Sequence, residues 1–164
     1  MTISAVRIDG RLIHGQVANL WTTKLGVTRI MVIDDKVAAS DIEKSGLKLA
    51  RPAGIDLSAL SEKVAADHIK RGGYDSQKVF IVVKRPQVLL DLVNDGVKLE
   101  TINVGNMSQT DGTTQITNSI NVGQDDCNAF KALHEKGIKI TQQMVPGDQA
   151  NDFMAILKKF DTKK

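Results

Sequence analysis

Residues 3–26, ISAVRIDGRLIHGQVANLWTTKLG, pass through three kinds of local order. ISAVRI (3–8) is rich in β-branched and apolar side chains and reads as a strand. From Gln16 to Leu25 the apolar residues Val17, Leu20, Trp21 and Leu25 recur at helical spacing, and Gly26 follows where a left-handed C-terminal cap wants a residue without Cβ. Asp9 to Gly15 form the connection between them. Strand, loop and helix in that order open a βα unit, and the rest of the chain repeats the theme.

Further strands are expected at 28–34 (TRIMVID), 55–60 (IDLSAL), 78–84 (KVFIVVK), 99–105 (LETINVG), 115–121 (QITNSIN) and 138–144 (KITQQMV). Several are apolar at consecutive positions, as strands covered on both faces are. Helices are expected at 16–25, 41–50, 61–71, 86–95, 124–136 and 148–160. Gly72, Gly96 and Gly137 follow helical stretches as Gly26 does, and Pro86 and Asp148 suit first-turn positions. The fold class is α/β: a single open, mostly parallel twisted sheet of about seven strands with helices on both faces. No repeat, low-complexity stretch or linker marks a second domain. The domain is expected to span 1–160, with 161–164 as a basic C-terminal tail.

The 164 residues include 22 basic and 19 acidic side chains, three histidines and one cysteine. A chain of that length buries about two thirds of the surface its unfolded form exposes and needs no staples. One cysteine makes neither an internal disulfide nor a cysteine-rich zinc site. Arg7, Asp9 and Arg11 interrupt the start where a signal peptide is apolar, and Val79–Val83 is far short of a membrane span, so a cytoplasmic protein is expected. The net charge of +3 lies in the end of the chain: residues 158–164, KKFDTKK, hold four lysines and one aspartate, and the other 157 residues hold 18 of each sign. A neutral domain with a basic end is not a footprint for nucleic acid, and one Trp, one Tyr and four Phe leave few platforms for base stacking.

In open α/β sheets, ligands bind outside the carboxyl ends of the strands. The loop DGRLIHG (9–15) stands at such an end and places His14 beside a helix N-terminus. Free N–H groups and the partial positive charge there favour an anion by about 0.3–1 kcal/mol and disfavour a protonated imidazole. A phosphoryl group on the ring would put its negative charge on those donors, and Arg11 or Arg7 would complete the cradle with a planar fork. Gly10 and Gly15 have the spacing of a P-loop, but Gln16 and Val17 stand where Lys and Ser or Thr are required. No GxGxxG occurs either, so no nucleotide cofactor is expected.

The stretch RIDGRLIHGQV (7–17) resembles the signature RIDDRLIHGQV of the IIB components of the mannose/fructose/sorbose class of the bacterial phosphoenolpyruvate-dependent sugar phosphotransferase system (PTS). The resemblance extends through VIDDKVAASD (32–41), RPAGID (51–56), INVGNMSQTDGTTQI (102–116) and MVPGD (144–148), essentially the whole chain. It implies an open, mostly parallel α/β sheet and a phosphocarrier in which His14 takes a phosphoryl group from a phosphohistidine of the IIA protein. The group then passes to a sugar arriving through the membrane IIC and IID components. The family's active-site arginine, three residues before the histidine, maps to Arg11. Gly10 departs from the family, which has a second Asp there, and leaves Asp9 as the nearby acid; Asp9 could accept a hydrogen bond from Arg11 or from the ring, or serve as a turn residue.

No IIA-like segment accompanies the chain, which reads as a free-standing IIB subunit peripherally associated with the membrane transporter. A homodimer stays open, as does the sugar: mannose, fructose, sorbose or an amino sugar such as N-acetylgalactosamine. The alternative is a regulatory or binding module with the same fold and no turnover.

Transfer between two imidazoles exchanges one P–N bond for another, so in-line positioning and donors around the equatorial oxygens lower the barrier. Arg11, Arg7 and the N–H groups near Gly15 and Gln16 are the expected donors, with no metal and no cofactor. The attacking nitrogen must be unprotonated. In the second Gly-rich loop, GNMSQTDGTT (105–114), Ser108 can donate to phosphate, although the loop has no basic residue. Asp34 and Asp35 could repel a misplaced phosphate, orient an arginine or simply turn the chain. His68 and His134 are expected to be structural, Cys127 to be an inert thiol beside Asp125 and Asp126, and Trp21 to lie in the core or an interface.

Overall fold

The chain begins β1 (Thr2–Asp9), α1 (Gly15–Leu25), β2 (Arg29–Ile33), α2 (Asp35–Ala38), α3 (Asp41–Ala50), β3 (Asp56–Leu60), α4 (Glu62–Lys70), β4 (Lys78–Val83) and α5 (Pro86–Asn94). It continues through β5 (Thr101–Asn106), β6 (Thr114–Thr117), β7 (Ile120–Val122), α6 (Gln124–Glu135), β8 (Lys139–Gln142), β9 (Asn151–Asp152), α7 (Phe153–Leu157) and α8 (Lys159–Lys163). These elements are those of a computed structural model, which describes residues 1–163. Lys164, part of the tail expected at 161–164, lies outside the described residues, and the expected break after residue 160 falls within α8, where Phe160 is buried.

Consecutive apolar residues in the central strands belong to different cores. Val79, Ile81 and Val83 of β4 face one layer, and Phe80 and Val82 face the other; Met31 and Ile33 of β2 alternate in the same way with Ile30 and Val32. The larger core receives Ala65 and Ala66 from α4, Leu89 and Leu92 from α5, Phe130 and Leu133 from α6, and Phe153, Leu157 and Phe160 from α7 and α8. The smaller receives Ala18 and Trp21 from α1, Val37 from α2 and Leu47 from α3. Burial on both faces is what makes these strands read as unbroken apolar runs.

The sheet order is β3-β2-β4-β1-β5-β8-β9, with every pair parallel except β8 with β9. β1 therefore lies between β4 and β5. The chain leaves β1 for the α1 face, whereas the connections after β4 and β5 lead to α5 and α6 on the opposite face. Divergence of neighbouring connections opens a crevice at the carboxyl end of β1, the usual ligand position in such sheets.

Two expected elements differ. Residues 115–121 are not one strand but a hairpin, β6 and β7, outside the main sheet and turned at Asn118 and Ser119, where the Ser119 N–H donates to Thr117 Oγ1 (3.2 Å). Residues 148–160 are not one helix: Asn151 and Asp152 form the antiparallel β9, and the Asp152 side chain caps α7 by accepting from the Met154 N–H (3.1 Å). Asp148, expected in a first helical turn, lies in the loop before β9. The seventh strand of the sheet is thus β9. Asp34 caps α2 through the Val37 N–H (2.9 Å), and Asp35 accepts from the Glu62 N–H (2.8 Å), so these acids turn and join elements. Among the described residues no helix is long and apolar enough to cross a membrane.

Partial burial, with Asp91, Asp35 and Asp34 nearby, raises the Glu62 carboxyl to about 7. The folded chain then holds this proton more tightly than the unfolded chain does. Its contribution to stability is complete below the ordinary carboxyl range and is lost as pH rises through about 7. Glu62→Gln should flatten the fall in Tm between pH 5 and 8; an unchanged slope in thermal unfolding would remove Glu62 as its source.

Candidate functional site

The loop after β1 is held down by its apolar middle. Leu12 and Ile13 are buried in the smaller core, and Leu12 adopts φ +60°. For a leucine that left-handed conformation costs roughly 1–2 kcal/mol, and it turns the chain so that His14 emerges exposed as the N-cap of α1. His14 makes no side-chain capping bond. The helix begins with the Ala18 N–H donating to the His14 carbonyl, which leaves the N–H groups of Gly15, Gln16 and Val17 without helical partners. Gly15 and Gln16 are exposed beside His14. The geometry sequence reading expected, an imidazole at the donor end of a helix, is present.

Asp9 ends β1 with 2% exposure and is fully engaged. Its Oδ1 accepts from the Arg11 N–H (3.0 Å) and Arg11 Nε (3.0 Å), and its Oδ2 accepts from Arg11 Nη2 (3.0 Å) and Arg7 Nη2 (3.4 Å). The two-pronged contact fixes the Arg11 fork, while 29% of that side chain stays open to solvent. Of the two partners open to Asp9 in the sequence, Arg11 holds it; the carboxylate orients a guanidinium.

Arg7 is placed differently from a phosphate ligand. It is 2% exposed, and its guanidinium donates to Asn103 Oδ1, the Gln143 carbonyl (2.8 Å) and the Met144 carbonyl (3.0 Å) as well as to Asp9. Burial lowers its pKa from the ordinary guanidinium value, with Asp9 opposing that shift. The group lies over the Trp21 ring at 5.1 Å, and the Trp21 Nε1–H donates to the same Met144 carbonyl (3.0 Å). Arg7 thus ties β1 to β5, to the chain after β8 and to α1. Trp21 is 8% exposed and packs in the smaller core.

Asn103, Gly105, Gln143 and Met144 belong to this arrangement and escape sequence reading. A Cβ on Gly105 would stand 2.0 Å from Arg7 Nη2, so only glycine lets the guanidinium cross the strand. A glycine inside a strand was the available signal. Ser108 is exposed on the neighbouring loop and comes against Gly10, whose N–H donates to the Asn106 carbonyl (2.9 Å). His68 stacks on Tyr74 (5.4 Å between centroids), His134 lies exposed in the last turn of α6, and Cys127 is buried, all away from the loop. Among the described residues no group of three or more His, Cys, Asp or Glu side chains gathers as a metal-ligand set.

The family model for the PTS system sorbose subfamily IIB component matches residues 3–164. The chain belongs to that family. It is 35% identical over 155 residues to the sorbose-specific EIIB component of Lacticaseibacillus casei, covering 94% of each chain. It is 32% identical over 158 residues to the fructose-specific EIIB component of Bacillus subtilis (strain 168), covering 96% of this chain and 97% of the other. Its structure resembles the crystal structure of the IIBSor domain of the sorbose permease from Klebsiella pneumoniae with a TM-score of 0.92 at 29% identity, covering 97% and 98% of the two chains. This IIB component is a phosphocarrier of sugar transport by the phosphotransferase system, and a binding module without turnover is not favoured.

Arg7→Met should remove the strut and leave the buried Asp9 carboxylate with Arg11 alone. The expected cost is about 3–5 kcal/mol of unfolding free energy, the range for breaking a buried ion pair. Urea denaturation checks it, and a midpoint equal to that of the unaltered chain would contradict it.

Proposed function

We propose that His14 is the phosphoryl-carrying residue of this IIB component. It takes the group from a phosphohistidine of the IIA protein and gives it to the sugar handled by the membrane IIC and IID components. The observation that carries the reading is the exposed imidazole at the start of α1, with three unpartnered N–H groups behind it and the Asp9-braced Arg11 fork three residues before it. In the first transfer a ring nitrogen of His14 forms a bond to phosphorus as the donor's N–P bond breaks. In the second a sugar hydroxyl oxygen forms a bond to phosphorus, the His14 N–P bond breaks, and the hydroxyl proton ends on the freed His14 nitrogen.

Arg11 and the N–H groups of Gly15 and Gln16 stabilise the charge on the equatorial oxygens. Arg7 supports the site through Asp9 and the backbone; its two terminal nitrogens donate to protein acceptors, and its Nε is buried with no partner. Two guanidiniums against one carboxylate leave one unit of positive charge at the base of the loop, which suits a group that arrives with negative charge. The chemistry assigned here uses neither a metal nor a nucleotide. The IIB component works in the cytoplasm against the membrane partners, and its residues handle the phosphoryl end of the reaction, so the choice of sugar is assigned to those partners.

With phosphoenolpyruvate, the general PTS proteins and IIA, the chain should acquire an acid-labile phosphoryl label that His14→Gln abolishes. A label surviving that substitution sinks the assignment. Arg11→Ala should slow transfer by about 10²–10³-fold, the usual effect of removing one charge-stabilising donor; rapid-quench kinetics provide the measurement, and an unchanged rate removes Arg11 from the mechanism.

A further inference from the structure

The loop between β5 and β6 leaves the sheet next to the His14 loop, and its position is not left to its own backbone. Arg85, the residue before α5, reaches it with one guanidinium nitrogen: Nη2 donates to the Ser108 carbonyl (3.1 Å) and to Thr110 Oγ1 (3.3 Å). The other terminal nitrogen, Nη1, donates to Asp126 Oδ2 (3.0 Å) at the start of α6. Asp126 is held in turn by the Gly123 N–H (2.9 Å) and by Gln87 Nε2 (3.0 Å), and its side chain is 7% exposed. A planar fork with a fixed carboxylate at one end thus sets where Ser108 stands at the other.

Ser108 stands against the phosphoryl loop. A Cβ built on Gly10 would lie 2.9 Å from Ser108 Oγ and 3.3 Å from Ser108 N, with Asn106 Oδ1 at 3.4 Å. Gly10 sits between Asp9 and Arg11, so the hydroxyl and N–H of Ser108 close over the same segment that aims the Arg11 fork. The side chain of Arg85 is 26% exposed and binds a surface loop, and Asp126 keeps two other donors when Arg85 is removed. Its loss is therefore expected to free the loop while the core stays packed.

We propose that Arg85 is a positioning residue for phosphoryl transfer, holding the 107–113 loop so that Ser108 supplies a further hydrogen-bond donor at the His14 site. The inference rests on the reading of His14 as the phosphoryl carrier. Arg85 itself does not touch the transferred group; it acts through Ser108.

The test is rapid-quench transfer from phosphorylated IIA to the full chain and to its R85M, R85K, S108A and R85M/S108A variants, with thermal unfolding of each. Arg85→Met should lower the maximal rate by about tenfold, the scale of losing alignment of one donor, while the donor concentration at half-maximal rate changes less than twofold. R85K should recover part of the rate. Ser108→Ala should show a comparable loss, and the double variant should be no slower than the slower single one, since both substitutions act through the same Ser108 donor. An unchanged R85M rate, additive losses in the double variant, or a loss confined to half-saturation overturns the proposal. If R85M does not fold, R85Q takes its place in the same comparison with the same outcomes. Labelling of His14 is followed in parallel: a label on His14 with no effect at Arg85 rejects this inference alone, and a label elsewhere rejects the reading of the site beneath it.

Discussion

A carboxylate with 2% exposure must find its hydrogen bonds inside the protein, and Asp9 finds all of them within its own segment. An unpaired charge at that depth would cost many kcal/mol, so the Arg7 and Arg11 guanidiniums are conditions for β1 to end where it does. The consequences spread outward. Arg7 needs a path across β5, hence Gly105, and acceptors on the chain after β8, hence the fixed backbone at Gln143 and Met144. Arg11, gripped along one edge by Asp9, has few rotamers left, and its Nη2 also donates to Met144 Sδ (3.7 Å). On the proposed reading of the site, the ordering of Arg11 that phosphoryl binding would require is already present in the folded chain.

The order of βα units was legible because sheets covered on both faces leave unbroken Val and Ile runs, as in KVFIVVK, and because glycine marks helix ends. The two misread segments fail for local reasons. Residues 115–121 keep a strand-like composition through a two-residue turn at Asn118 and Ser119, so nothing apolar breaks the run. In 148–160 the apolar residues have helical spacing, but Asn151 is drawn into pairing with Gln142 and Asp152 into capping.

His14, Arg11 and Asp9 were legible since they lie within one short loop. The remainder of the site comes from positions 96 to 137 residues away from Arg7, and two of its acceptors are backbone carbonyls. A carbonyl has no side-chain identity by which sequence can mark it. The identity of Arg7 is visible in the sequence, whereas its burial and its partners on β5 and after β8 are properties of the finished sheet.

The chain contains a single tryptophan, and the fold packs it against the Arg7 guanidinium. Trp21 lies under the Arg7 guanidinium and donates its indole proton to the Met144 carbonyl that Arg7 also holds. Its excited state therefore experiences the electric field of the Arg7–Asp9–Arg11 group directly. The protein carries an intrinsic optical reporter of charge beside the His14 loop, readable with no label and no second tryptophan to confuse the signal.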